Sequence, residues 1–276
     1  MVFDRDFSHC CHFIEATKVI SNEINEEQTM YEWIHKLTLY THIFIGGLAL
    51  IVFWLPILEK KGSPKHKQYG RWFVWGMTAV SISGILMSTM VFVDPLAIRD
   101  PQGTLSMEQA IQAVERNRNF SAFLFMLSFL VLSSAQQSML VLKAKANKAI
   151  LKTPSHMFRL IMLLLSSIYV GLIGLQSSIM LFMIFSGLGL VLALAMLRYN
   201  FKQETKNGEW IIEHLSTVIG AGIGAYTAFF VFGGSRLLQD VMSSEIRLAL
   251  WVLPGVIGTI IIRTFAAKYR QKYKIA

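Results

Sequence analysis

Three histidines stand at equivalent places in the chain. Ser63-Pro64-Lys65-His66 and Thr153-Pro154-Ser155-His156 each read as a hydroxyl cap, a proline at the first helical position and a histidine in the first turn. His214 stands beside Glu213, shortly after Asn207-Gly208, at the start of a third apolar run. The positive end of a helix dipole disfavours imidazolium, and neutral imidazole is the form that binds metal. If the three helices begin on one side of a membrane, His66, His156 and His214 can surround one transition-metal ion or the edge of a haem b. The competing reading has each ring capping its own helix or facing lipid headgroups.

His35 and His42 lie seven residues apart, on one helical face and roughly 10 Å apart along the axis, too far for one metal. Gly46 and Gly47 follow His42 and would admit a neighbouring helix or a flat ligand. His42 is therefore the candidate outer ligand. The expected third, fifth and seventh spans hold no histidine, so only methionines such as Met87, Met90 or Met126 could complete an outer pair, and a full bis-histidine relay is not expected. The chain has no phosphate loop, dinucleotide glycine fingerprint, HExxH or nucleophile elbow. It also lacks the clustered histidines of a di-iron membrane oxygenase.

The elements that must position these residues are transmembrane helices. With 54% hydrophobic and 16% charged residues among 276, and a mean hydropathy of +0.49, the chain is too apolar for an ordinary soluble domain. A span needs roughly 20 apolar residues. Seven stretches qualify, at about 37–58, 72–93, 120–142, two within 157–197 folded at Gln176-Ser177-Ser178, 211–233 and 248–267. The fold class is all-α, a polytopic bundle of seven spans. Most of the 26 lysines and arginines fall after the odd-numbered spans, which places the N-terminus outside and the C-terminus in the cytoplasm of a cell (inner) membrane. Residues 1–30 read as a weakly ordered extension, 31–270 as the membrane domain and 271–276 as a basic tail.

The net charge of +9 is spread over turns between spans, so anionic lipid at the cytoplasmic face is the expected partner and nucleic acid is not. Cys10 and Cys11 are adjacent and form no CxxC motif. In the long outer loop, Ser106 and Gln109 resemble a capping box and predict a short helix on the outer surface. The third span carries Ser133, Ser134, Gln136, Gln137 and Ser138, and the sixth carries Gly220, Gly222 and Gly224. Close helix packing explains both, and a solute path lined by these two spans is the alternative.

The runs His42-Ile43-Phe44-Ile45-Gly46-Gly47 and His66-Lys67-Gln68-Tyr69-Gly70-Arg71 resemble an uncharacterised family of bacterial predicted membrane proteins. That family pairs a first-span histidine and glycine with an HR-x-x-GR turn before the second span; Lys67 stands here in place of the first arginine of that turn, and Arg71 matches the second. The resemblance names no reaction. It implies a membrane fold and importance for His42, His66 and Arg71, which together with Gly46 are the candidate cofactor-binding residues. The leading expectation is histidine-ligated redox or metal-dependent chemistry at the cytoplasmic face; solute transport or a channel, and a non-catalytic scaffold, are the alternatives.

Overall fold

The computed structural model describes residues 5–145, 147–234 and 244–274. The side chains of residues 5–28, 232, 234, 244–249, 251 and 252 lie outside that description, so those of Cys10 and Cys11 fall outside it, as do both extreme termini. Every regular element described is helical: α1 (Arg5–Leu58), α2 (Pro64–Val93), α3 (Pro95–Arg99), α4 (Met107–Ala144), a 3₁₀ turn (Lys148–Lys152), α5 (Pro154–Gln176), α6 (Met180–Phe201), α7 (Glu209–Ala228), a π-helical turn (Phe229–Gly234) and α8 (Ser244–Tyr273). Six segments among the described residues are long and apolar enough to cross a membrane: Thr29–Leu58, Pro64–Val93, Met107–Ala144, Pro154–Gln176, Met180–Phe201 and Glu209–Val231. Helix α8 covers the stretch expected to form a seventh.

Local chemistry sets the helix ends. The Ser63 hydroxyl accepts from the His66 amide at 3.1 Å and Pro64 opens α2, whereas Thr153 opens α5 without a side-chain cap. Lys61 Nζ donates to the carbonyls of Pro56 and Ile57 at 3.0 and 2.6 Å, placing a cation where α1 ends with unpaired acceptors. The α5–α6 hairpin falls at the expected serines, with Ser178 at φ +54°.

The 94–118 connection departs from expectation. The capping box at Ser106 and Gln109 is present in both directions, but it opens α4 itself. No helix separate from the span forms at the capping box; the short helix in this connection is α3, ahead of it. Between Met107 and Ala144 there is neither glycine nor proline to break the helix, and 38 residues carry it about 57 Å, well beyond the roughly 30 Å of hydrocarbon. Arg118, in this protruding part, donates from Nε to the Phe92 carbonyl at 3.1 Å and from Nη2 to that of Val93 at 3.4 Å, closing the end of α2.

Helix α4 is the centre of the bundle. It packs against α2, α5, α6 and α7, and 56% of its most apolar window is buried, against 6% for that of α1, which therefore lies at the rim. Phe123 of α4 stacks on Phe182 of α6 with centroids 4.9 Å apart. Helix α7 reaches α1 through Gly222, where a Cβ would lie 2.6 Å from Phe53 Cζ. Since Phe53 also packs against Phe73 and Tyr226, its ring has little freedom to yield. Gly222→Ala is expected to destabilise the protein by about 1–3 kcal/mol, read as thermal unfolding in detergent, and Phe53→Leu in the same chain should restore part of the loss.

Candidate functional site

The most connected polar group of the bundle is the side chain of Gln137, fully buried on α4. Its amide nitrogen donates to Asn200 Oδ1 of α6 at 2.8 Å and to Glu213 Oε1 of α7 at 3.0 Å. Its amide oxygen lies 2.6 Å from His156 Nε2 of α5. One side chain thus joins four helices. The neighbours fix the orientation of the groups: a carboxylate accepts, so the nitrogen of Gln137 faces Glu213 and its oxygen faces the imidazole. His156 Nδ1 faces Arg159 Nη2 at 3.4 Å. A guanidinium only donates, so Nδ1 accepts and the proton on His156 sits at Nε2, directed to Gln137.

These residues converge because of where their helices start and stop. Gln137 lies two turns before the end of α4, His156 in the first turn of α5, Asn200 in the last turn of α6 and Glu213 in the second turn of α7. All four ends lie where the basic turns connect the helices, here called the basic end. The 3₁₀ turn between α4 and α5 begins under an Asn147 cap, with Ala149 N donating to Asn147 Oδ1 at 3.1 Å, and delivers Lys148 inward. Its Nζ sits 3.1 Å from the centre of the Tyr199 ring, with no hydrogen-bond partner. Burial lowers the Lys148 ammonium to about 8, against the opposing pull of Glu209 and Glu213. Glu209 itself is bound to Lys202 Nζ at 2.5 Å and to the Lys206 amide at 3.0 Å.

The three histidines expected to share a metal each hydrogen-bond different partners. His66 Nδ1 donates to the Pro56 carbonyl at 2.8 Å, and His214 Nδ1 to that of Ser138 at 2.8 Å. Both ring nitrogens of His156 are engaged, by Gln137 and Arg159, so it offers no free lone pair. Among the described residues, no group of three or more His, Cys, Asp or Glu is arranged to hold a metal ion.

Deeper between α1 and α2, away from the basic end, His42 Nδ1 lies 2.9 Å from Ser83 Oγ. The serine hydroxyl is directed to the Ala79 and Val80 carbonyls, so the ring is the donor. A Cβ on Gly46 would make only an ordinary 3.7 Å contact with Val80, and one on Gly47 would meet nothing within 4 Å. The pair therefore provides no close helix approach. Arg71 is exposed on the first turns of α2. Gln136 ties α4 to α2 through Thr78 Oγ1 at 2.8 Å, so much of the polar patch in the third span holds helices together, as close packing predicts. Lys148, Arg159, Tyr199 and Asn200 are the site residues that sequence reasoning missed. The Tyr199-Asn200 pair closing an apolar span was the one available signal, whereas Lys148 reads like any other lysine of a basic turn.

Comparisons with protein-family models, curated proteins and solved structures give no match.

Two outcomes follow from this geometry. Gln137→Leu strands the His156 N–H, the Asn200 oxygen and the Glu213 carboxylate together, and should lower stability by about 2 kcal/mol in thermal unfolding, more than Ser133→Ala. Because Lys148 holds its proton less well folded than unfolded, its charge opposes folding below about pH 8, and that penalty disappears as pH rises towards the ordinary lysine value of 10.5. Lys148→Met should therefore melt above the wild type at pH 7, with the difference shrinking between pH 8 and 10.5.

Proposed function

We propose that the chain is a multispanning transporter whose solute-handling centre is the buried network of Gln137, His156, Asn200 and Glu213. One observation carries this reading: an intramembrane carboxylate, Glu213, is held by an amide at 3.0 Å rather than by direct ion pairing to a cation, inside a network contributed by four helices. Ionisable groups at such depth are costly and mark solute or proton paths. A purely structural junction would be served by amides and hydroxyls alone, as Gln136 and Thr78 do.

In this reading α8 is a seventh span, so the termini lie on opposite sides. The basic end faces the cytoplasm, as the lysine and arginine distribution favours, and the network lies nearer that side. The long outer half of α4 and the short α3 stand on the other side. The resemblance to a bacterial membrane-protein family is compatible with this assignment and specifies no solute.

The test is solute flux into proteoliposomes, read by electrogenic current and osmotic swelling over a panel of inorganic anions, carboxylates, amines and sugars. At least one class should enter faster than into protein-free vesicles, with Glu213→Gln changing its rate about tenfold or more. Flux no faster than into empty vesicles for every class would overturn the reading. Reporter fusions at residue 62 and residue 103 should report the cytoplasm and the outside respectively.

A further inference from the structure

We propose that Lys148, Tyr199 and Asn200 form the donor set of a site for a small phosphate-like oxyanion, and that this is the chemical class handled at the basic end. The inference rests on the transporter reading for its purpose, but not for its geometry.

Five buried side-chain polar atoms among the described residues lack a hydrogen-bond partner: Ser81 Oγ, Lys148 Nζ, Arg159 Nε, Tyr199 Oη and Asn200 Nδ2. Four of the five lie at the basic end, and each of those four carries a proton to donate. Their residues are deeply enclosed. Asn200 is 0%, Tyr199 8% and Lys148 9% exposed. Unmet buried donors are costly, and an ammonium without an acceptor is the costliest of them. The complementary ligand is one made of acceptors and carrying negative charge.

The local charges agree. Glu209 is committed to Lys202 and the Lys206 amide, and the Glu213 oxygen accepts from Gln137. Neither carboxylate hydrogen-bonds Lys148, although both lie within its electrostatic reach. Counting Lys148, Arg159 and Lys202 against Glu209 and Glu213, the cluster keeps an excess positive charge. An amine solute would meet the Lys148 ammonium, and a neutral solute would leave that charge uncompensated. An oxyanion supplies several acceptor oxygens at once, matching donors of three kinds: ammonium, phenol and amide. The shared chemistry has two sources, free phosphate and the headgroup of an anionic lipid.

The experiment uses the full chain in phosphate-free buffer at pH 7 and constant ionic strength. One arm titrates detergent-purified protein with inorganic phosphate against chloride, following thermal unfolding. The other compares phosphatidylglycerol nanodiscs with phosphatidylcholine nanodiscs. A saturable stabilisation by phosphate or by phosphatidylglycerol, not reproduced by chloride or phosphatidylcholine, is expected. Lys148→Met should weaken it about tenfold or more, the scale of one lost charge-assisted hydrogen bond. Asn200→Asp should abolish it, and Glu213→Gln, which removes a neighbouring negative charge, should strengthen it. Lys148→Met is the variant expected to fold at least as well as the wild type, so its loss of response reports binding.

An equal response to chloride, no saturable response in either arm, or an unchanged response in Lys148→Met overturns the site. The two readings fail separately: flux without this stabilisation removes the oxyanion site and leaves the transporter, while stabilisation without flux does the reverse.

Discussion

In hydrocarbon a polar group has no solvent to turn to, so each one must find its partner within the protein. The Gln137 amide meets that constraint completely, with two donated hydrogen bonds and one accepted, each to a different helix. Much else is set by this. The ends of α4, α5, α6 and α7 are held at one depth, because a shift of one turn, about 5.4 Å, would break a bond that only the amide can make. The apolar contacts of the bundle, such as Phe123 on Phe182, are permissive by comparison, since lipid and side chains compete for them on nearly equal terms.

Around that satisfied centre the surroundings are not satisfied, and Lys148 makes the contrast sharpest. An ammonium over a tyrosine face gains cation–π attraction, on the order of 2 kcal/mol when desolvated, and feels two carboxylates. Even so, burial dominates and pulls its proton affinity down to about 8. Lys148 is thus kept where it works against folding. A methionine of similar length could fill the same space on the 3₁₀ turn and avoid the cost. Arrangements in which a local choice opposes stability are where function concentrates, and this is the reason to read the basic end as a working centre instead of a junction.

What the sequence made legible was local. Ser63-Pro64 opening α2, the reciprocal Ser106–Gln109 box and the Gln176–Ser178 hairpin depend on residues within one turn of each other, so their types carry the information. The continuity of α4 was hidden because Asn117, Arg118 and Asn119 read as a polar loop, while a helix standing in water needs no apolar residues to persist once its far half is anchored. The grouping of His66, His156 and His214 at one end followed from alternate threading. Which atoms they touch did not. A histidine in a first turn can close the end of the preceding helix, as His66 of α2 does with the Pro56 carbonyl of α1, or face the interior, as His156 does with Gln137, and only the neighbouring helices decide between them.

The two ends of the bundle resolve their charges in opposite ways, and the difference argues against a merely structural account of the basic end. On the other side, the Asp100 carboxylate accepts from the Thr104 amide and hydroxyl and the Leu105 amide at 2.7–3.0 Å, which hold its pKa below the ordinary carboxylate value. Arg118 likewise closes the last carbonyls of α2. Those charges are used up in building turns. At the basic end the interior carboxylate is shared with an amide, and a lysine, a tyrosine and an asparagine keep donors in reserve. If packing alone had shaped both ends, the more buried one would be the more completely paired, yet among the described residues four of the five unpartnered buried atoms lie there. Donors withheld from the fold in that place are donors available to something that arrives.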